Sequence, residues 1–528
     1  MDTFNLKIQE LKADSFLARQ FHALKENRFS TPFGILIMLV MCSCMGYGMV
    51  MAGYKIGITI VVSLIGLPFF MAAVVNQKAG LFMIFGLSFF VLGIKRFVGE
   101  APVGLAMDIM IAGTFVGLLA RQINQRASWK FMHNPVAYMV GIWILMIFIQ
   151  LFNPVAASRL AWVYTVRSTA GFMVMYYVTL YAVDNVKYIT NLMKLWVVLA
   201  ILVMLYGFKQ EYVGFFQFET DWIMSDSERY GLLYIMGRFR KFSFLSDPMI
   251  YGVFMALTSV VCLILASGPY RASYRIGLIL LSILMATAMI HSGTRAAYIA
   301  FPVGIAFFST ITLKRNIIAL AVAVFAIGFV LAKMPTGGNL NLIRFQTAFR
   351  PEEDESYKVR EANKAFVKPF IQSLPFGAGL GSTGYWGKRF SQGAPLADFP
   401  PDSGFVRVAV EQGYVSLFVY LLLFFVTFNN GVKNHYKIQD PKLQNFSMAL
   451  LAGLLILTVA NFPQEAIGQI PNNLIFFVML AMSTKLYELD QKKQFTDTSS
   501  PSKNLNPYHS GSIGMSRAFT NQNSVPLT

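Results

Sequence analysis

From residue 32 to residue 486 the chain alternates long apolar stretches with short polar ones, and roughly fourteen of the apolar stretches approach the length of a membrane span. A helix rises about 1.5 Å per residue, so crossing a hydrocarbon core about 30 Å thick takes about twenty apolar residues. Spans are accordingly predicted at 32–53, 57–76, 80–97, 102–120, 135–152, 169–184, 189–207, 248–267, 273–291, 296–312, 316–333, 403–428, 445–462 and 471–487. Two connections, 208–247 and 334–402, are too long to be turns. The predicted fold is all-α, a polytopic transmembrane helix bundle of about 12–14 spans with a large, partly helical external loop.

Three regions follow from the same pattern. Residues 1–31 form a polar N-terminal segment in which Phe4, Ile8, Leu11, Leu17, Phe21 and Leu24 recur at helical spacing. This suits a helix lying on the cytoplasmic membrane surface, or equally an ordinary solvated amphipathic helix. No cleavable signal peptide is expected there. Residues 32–487 make the transmembrane domain, and 488–528, increasingly rich in Ser, Asn, Pro and Thr, are expected to be a disordered cytoplasmic tail. No internal repeat is evident.

Composition narrows the class. The chain is 55% hydrophobic and only 13% charged, with mean hydropathy +0.54, where soluble proteins carry roughly a quarter charged residues. The net charge of +18 could suggest nucleic acid, but basic residues in cytoplasmic loops set topology and meet anionic lipid, so no nucleic-acid partner is expected. Cys42, Cys44 and Cys262 all lie inside apolar stretches and read as small core residues. No second His or Cys stands at zinc-ligand spacing, and no metal or cofactor is expected.

Charge then sets the orientation. With a cytoplasmic N-terminus, the turns carrying Lys78, Arg121–Lys130, Lys187, Arg271–Arg275, Lys314–Arg315 and Lys433–Lys442 all face inward, as the positive-inside rule requires. Both termini are then cytoplasmic. Arg159, Arg167, Arg238, Arg240, Arg295, Arg344 and Arg360 fall on or just beneath the opposite face. Cations where insertion bias disfavours them suit anion binding. They accompany Gly237–Pro248, the tight turn His291–Ala297, the run Asp354–Arg360 and the glycine-rich Gly377–Gly384 followed by Pro400–Gly413. The run Glu352–Pro369 is predicted to be a helix ended by the Pro375–Gly381 stretch.

In order and placement these segments resemble the O-antigen ligase and O-antigen polymerase superfamily of integral membrane glycosyltransferases. That family shows a Ser-x-x-Arg turn between two spans, a large periplasmic loop with a glycine-rich stretch, and a polar pair before a span containing Glu-x-Gly. This chain has Ser292 and Arg295, then Gly377–Gly384, then Asp402 and Ser403 ahead of Glu411 and Gly413. The resemblance covers about residues 235–430. It implies a GT-C-like fold in the bacterial inner membrane, with the active site facing the periplasm. It also implies metal-independent transfer of a glycan from a polyprenyl diphosphate donor to an acceptor hydroxyl. The acceptor could be another glycan, lipid A core or a protein side chain, and membrane lipid is a further partner.

Candidate roles follow from that chemistry. Arginines in a partly dry site can hold the charge that builds on a diphosphate leaving group. Arg295 leads this set, with Arg238, Arg240 and Arg360; Arg159 and Arg167 also flank a span end, and Arg238 or Arg240 has Asp247 as a possible ion-pair partner. For Arg344 and Arg350 a loop salt bridge is as good a reading as ligand binding. The ligase branch places a His-Asn pair where Asp402-Ser403 stands, a departure that leans the reading toward polymerisation of a surface polysaccharide. Asp402 reads as catalytic base or as helix cap. Glu411 is a catalytic candidate but also has Arg407 at i−4, and His291 is a substitute base or a hydrogen-bonded helix end. The alternative from another class is a transporter or flippase of the same lipid-linked oligosaccharide.

Overall fold

The computed structural model describes residues 66–98, 103–338, 340–349 and 355–499, with a few positions between 35 and 47. The predicted surface helix at 1–31, more than half of the first predicted span and residues 57–65 of the second lie outside the described residues, as do Arg350, the acidic run 352–354 and the tail beyond 499.

A short apolar helix, Gly66–Val75, precedes α1 (Gln77–Val98) and α2 (Val103–Asn124). α3 (Pro135–Ile149), α4 (Arg159–Ala182) and α5 (Val186–Tyr212) follow. The first long connection holds α6 (Gln217–Met224), α7 (Ser227–Leu233) and a hairpin of β1 (Tyr234–Ile235) with β2 (Arg238–Phe239). Next come α8 (Pro248–Ala266), α9 (Ala272–His291), α10 (Arg295–Thr312) and α11 (Arg315–Lys333). The second long connection carries α12 (Leu340–Thr347), α13 (Glu355–Ser373) and α14 (Gly384–Phe390). α15 (Gly404–Lys437), α16 (Pro441–Ala460) and α17 (Asn472–Ser499) complete the bundle.

Among the described residues ten helices are long and apolar enough to cross a membrane. The predicted spans 169–184 and 471–487 are parts of α4 and α17, which are as long but more polar. α17 also runs past the predicted domain end at 487, so residues 488–499 are helical. Helix starts are written locally. Asn134-Pro135, Asp247-Pro248 and Asp440-Pro441 each supply a side-chain cap and a proline whose missing N–H costs nothing at the first helical position.

α8 is apolar all round and is the central pillar, packed against α9, α10 and α16 with nearly every residue buried. α11 is almost wholly uncovered by protein and is peripheral. One apolar core runs through the bundle, and two satellite cores order the long connections. Ile223, Leu233 and Phe242 hold the first; Val367, Ala378, Leu396 and Phe399 hold the second against Val410 of α15.

The second connection is anchored where α15 kinks at Gly413 (φ 80°, ψ 174°). A Cβ at that position would strike the Pro375 carbonyl, so the two backbones meet only because a glycine stands there. At the kink the carbonyls of Val410 and Glu411 accept the N–H groups of Ala378 and Gly379, both at 2.9 Å. Gln150 and Asn153, at the end of α3, donate to the carbonyls of Phe376 and Gly377 from the other side. α13 begins its described course at Glu355 and accommodates Pro369 before ending ahead of Pro375.

Candidate functional site

The turn between α9 and α10 is the scaffold. Ser292, Gly293 and Thr294 alone join the two helices, and Gly293 takes φ +60°, a left-handed value that a side chain resists. Ser292 Oγ donates to the Met289 carbonyl and accepts the Thr294 N–H at 3.1 Å, while Thr294 Oγ1 donates to the Pro248 carbonyl. The turn is thereby locked to α8.

Arg240 is fixed onto this turn. Its Nε donates to the Ser292 carbonyl and its Nη2 to Thr294 Oγ1, both at 3.0 Å. Burial and the neighbouring Arg344 charge push its guanidinium down to about 10. It stays charged at neutral pH, but the direction records a cation held where solvent cannot repay its charge. Arg344 of α12 is likewise pushed down by burial and lies against Gly293. An entering anion would relieve both.

Arg240, Arg295, Arg344, Arg360 and Lys364 line one cavity of about 620 Å³ with Asp402. The elements that deliver them are far apart in sequence: the strand end after β2, the first residue of α10, α12, α13 and the segment before α15. Apolar side chains including Ile299, Phe405, Val406 and Phe462 complete the walls, and Phe462 is 70% exposed at the edge. Of the sequence-predicted set the cavity gathers Arg240, Arg295, Arg360 and Asp402.

Asp402 is not the helix cap. Ser403 holds that place, its Oγ accepting the Val406 N–H at 3.4 Å, and Asp402 Oδ2 accepts from Asn363 Nδ2 at 3.3 Å. This frees the carboxylate from the role that competed with base catalysis.

The remaining predicted residues are elsewhere. Arg238 pairs with Glu211, which also faces Lys241 Nζ at 3.4 Å and His291 Nδ1 at 3.5 Å. His291 thus sits in a charged cluster behind the turn, outside the main cavity, and its carbonyl accepts the Lys241 N–H. Asp247, a candidate partner for Arg238 or Arg240, instead caps α8 through the Met249 and Ile250 N–H groups. Arg167 pairs with Asp108 of α2 at 3.2 Å, and Arg159 donates to the Leu151 carbonyl.

Glu411 also lies outside the cavity, buried under the glycine-rich stretch. It accepts the Gly381 N–H at 3.0 Å and the Thr383 hydroxyl, and pairs with Arg407 at 3.2 Å. Arg407 in turn pairs with Glu465. Its bonds to Gly381 and Thr383 make Glu411 a fastener between the glycine-rich loop and α15, while its pair with Arg407 lies within the helix.

Sequence reasoning left Arg344 evenly between a loop salt bridge and ligand binding and gave no role to Asn363, Lys364 or Gln464, all cavity-lining. It also passed over Arg96, which donates to the Ser243 and Ser246 carbonyls and lies against the rings of both Trp222 and Phe242. Arg96 pins the first long connection to α1 and belongs to the fold rather than the cavity. The clue available for Arg344 was its place on the same connection as Arg360.

Residues 280–421 match the O-antigen ligase family model, a segment that runs from within α9 to within α15. It contains Arg295, Arg344, Arg360 and Asp402, while Arg240 and Gln464 come from outside it. No curated protein matches the chain.

Proposed function

We propose, from the premise that this chain belongs to the O-antigen ligase and polymerase superfamily through its domain at residues 280–421, that it is a metal-independent membrane glycosyltransferase. It moves a glycan from a polyprenyl diphosphate to an acceptor hydroxyl on the periplasmic face of the inner membrane. The observation that carries this reading is the meeting of four arginines and one carboxylate in a single cavity with an apolar flank.

The cavity suits each demand of the reaction. The diphosphate binds among Arg240, Arg295, Arg344 and Arg360, and the isoprenoid chain leaves along the apolar side past Ile299 and Phe462. Attack of the acceptor oxygen on sugar C1 forms the new C–O bond as the bond from C1 to the phosphate oxygen breaks. The electron pair stays on the diphosphate, where preorganised guanidinium groups hold it. Asp402 takes the acceptor proton on its carboxylate and releases it to solvent. Polymerisation of a surface polysaccharide is the preferred outcome, because Asp402-Ser403 replaces the His-Asn pair of the ligase branch.

Purified protein in lipid nanodiscs, supplied with a polyprenyl-diphosphate-linked repeat unit, tests this directly. Laddered products identify a polymerase, and single transfer to lipid A core identifies a ligase. If Arg295→Ala folds normally and transfers glycan at the wild-type rate, the diphosphate site is misassigned.

A further inference from the structure

The cavity is chemically two-sided. Its cations come from the strand end after β2, the α9–α10 turn, α12 and α13, whereas the segments at 402–403 and 462–464 contribute hydrogen-bond acceptors and apolar groups. We propose that Asp402, Asn363 and Gln464 form a subsite for the acceptor sugar, in which Gln464 accepts a hydroxyl neighbouring the one that reacts. This rests on the glycosyltransferase reading above and names what occupies its second half.

Gln464 carries the argument. It lines the cavity, yet its Oε1 is buried and has no hydrogen-bond partner. A buried amide oxygen left unpaired is costly and needs an explanation, and a donor arriving with the substrate supplies one. The side chain hangs from a firmly held backbone. Its N–H donates to the Ala460 carbonyl at 3.3 Å, and its own carbonyl accepts the Ala466 N–H at 2.9 Å.

Its spacing from Asp402 is also set. The Gly404 N–H donates to the Asn461 carbonyl at 3.1 Å, and Arg407 of α15 pairs with Glu465, the residue after Gln464. Two ties therefore join the start of α15 to the connection that follows α16, one on each side of Gln464 in sequence. Asp402 has one oxygen on Asn363 and the other without a partner among the described residues. A carboxylate oxygen and an amide oxygen held in fixed relation are acceptors only. Both oxygens attract hydroxyl donors and the Asp402 carboxylate repels phosphate oxygens, which suits this part of the lining to a polyhydroxylated acceptor. A sugar brings a second hydroxyl beside the reacting one, and that hydroxyl is the donor this subsite assigns to Gln464.

The test compares Gln464→Ala and Gln464→Glu in nanodiscs, using the parent acceptor glycan and a set of analogues each lacking one hydroxyl. Gln464→Ala is expected to raise the acceptor KM roughly 3- to 30-fold, the loss of one hydrogen bond, with donor KM and the pH profile of kcat unchanged. One deoxy acceptor should be equally poor for wild type and Gln464→Ala, losing nothing further in the variant. Gln464→Glu keeps an acceptor oxygen and should remain nearer wild type. An unchanged acceptor KM in Gln464→Ala overturns the proposal, as does an equal penalty on every analogue. Should Gln464→Ala fail to fold, the wild-type enzyme decides alone: no sensitive hydroxyl besides the reacting one overturns it. Transfer that persists in Arg295→Ala defeats the glycosyltransferase site itself, whereas transfer that needs Arg295 but ignores Gln464 defeats only the subsite.

Discussion

Arg240 shows how one side chain becomes part of a site. Two of its nitrogens are spent on the α9–α10 turn, so the guanidinium is oriented before any ligand arrives, and burial beside Arg344 outweighs the attraction of Asp247 on its charge. A lysine cannot reproduce this fork of donors. Arg240→Ala is expected to slow transfer on the order of 10²- to 10³-fold, with Arg240→Lys recovering little of it, measured as single-turnover rates at saturating donor. Arg159→Ala and Arg167→Ala should leave those rates unchanged, since their side chains meet the Leu151 carbonyl and Asp108. A matching loss in either would extend the site beyond the cavity. Sequence alone placed all these arginines at one end of the bundle, but one-dimensional spacing gives no way to know which had already found a partner. Arg238 and Arg240 stand two residues apart on one strand end; Glu211, distant in sequence, takes the first and leaves the second to the turn.

At the scale of elements, the fold near the cavity depends on loops docked into helices rather than on helices alone. The kink of α15 at Gly413 turns carbonyls toward the glycine-rich stretch, and Glu411 fastens that stretch through Gly381 and Thr383. Removing Glu411 from this buried network leaves the Gly381 N–H and the Thr383 hydroxyl without their acceptor and takes from Arg407 one of its two carboxylate partners. Glu411→Ala should therefore cost about 3–5 kcal/mol of stability, seen as a lowered unfolding midpoint in detergent. A stable Glu411→Ala protein with normal unfolding and no transfer would return Glu411 to catalysis. The helices were legible because a twenty-residue apolar run has few alternatives, and the caps at Asn134, Asp247 and Asp440 are local chemistry. The kink and the inserted stretch were not, because a glycine inside an apolar run looks the same whether it bends the helix or merely sits in it. The same limit applied to Asp402-Ser403, where two adjacent capping residues compete and only the backbone decides that Ser403 wins.

For the whole molecule, the bundle presents one end built from both long connections and another built from short basic turns. The cavity lies at the first end, between α10, α13 and α15. If that end faces the periplasm, a cysteine at exposed Gln392 will react with a membrane-impermeant thiol reagent in spheroplasts, and one at exposed Lys433 only after permeabilisation. The reverse pattern would invert the topology and remove the periplasmic donor from consideration.

The sequence by itself determined the class of protein, the apolar helices and the concentration of arginines at one end, because membrane insertion is governed by length, hydropathy and charge along the chain. It also carried the resemblance, through the turn, the glycine-rich stretch and the Asp402–Gly413 segment, that the family match at 280–421 bears out. Only the tertiary structure decided which cations share a cavity, that Arg344 joins them, that Arg238 and His291 turn to Glu211, and that Gln464 lines the same cavity as Asp402. Those outcomes depend on partners separated by tens to hundreds of residues, and whether a charge is spent or spare is settled by what packs against it.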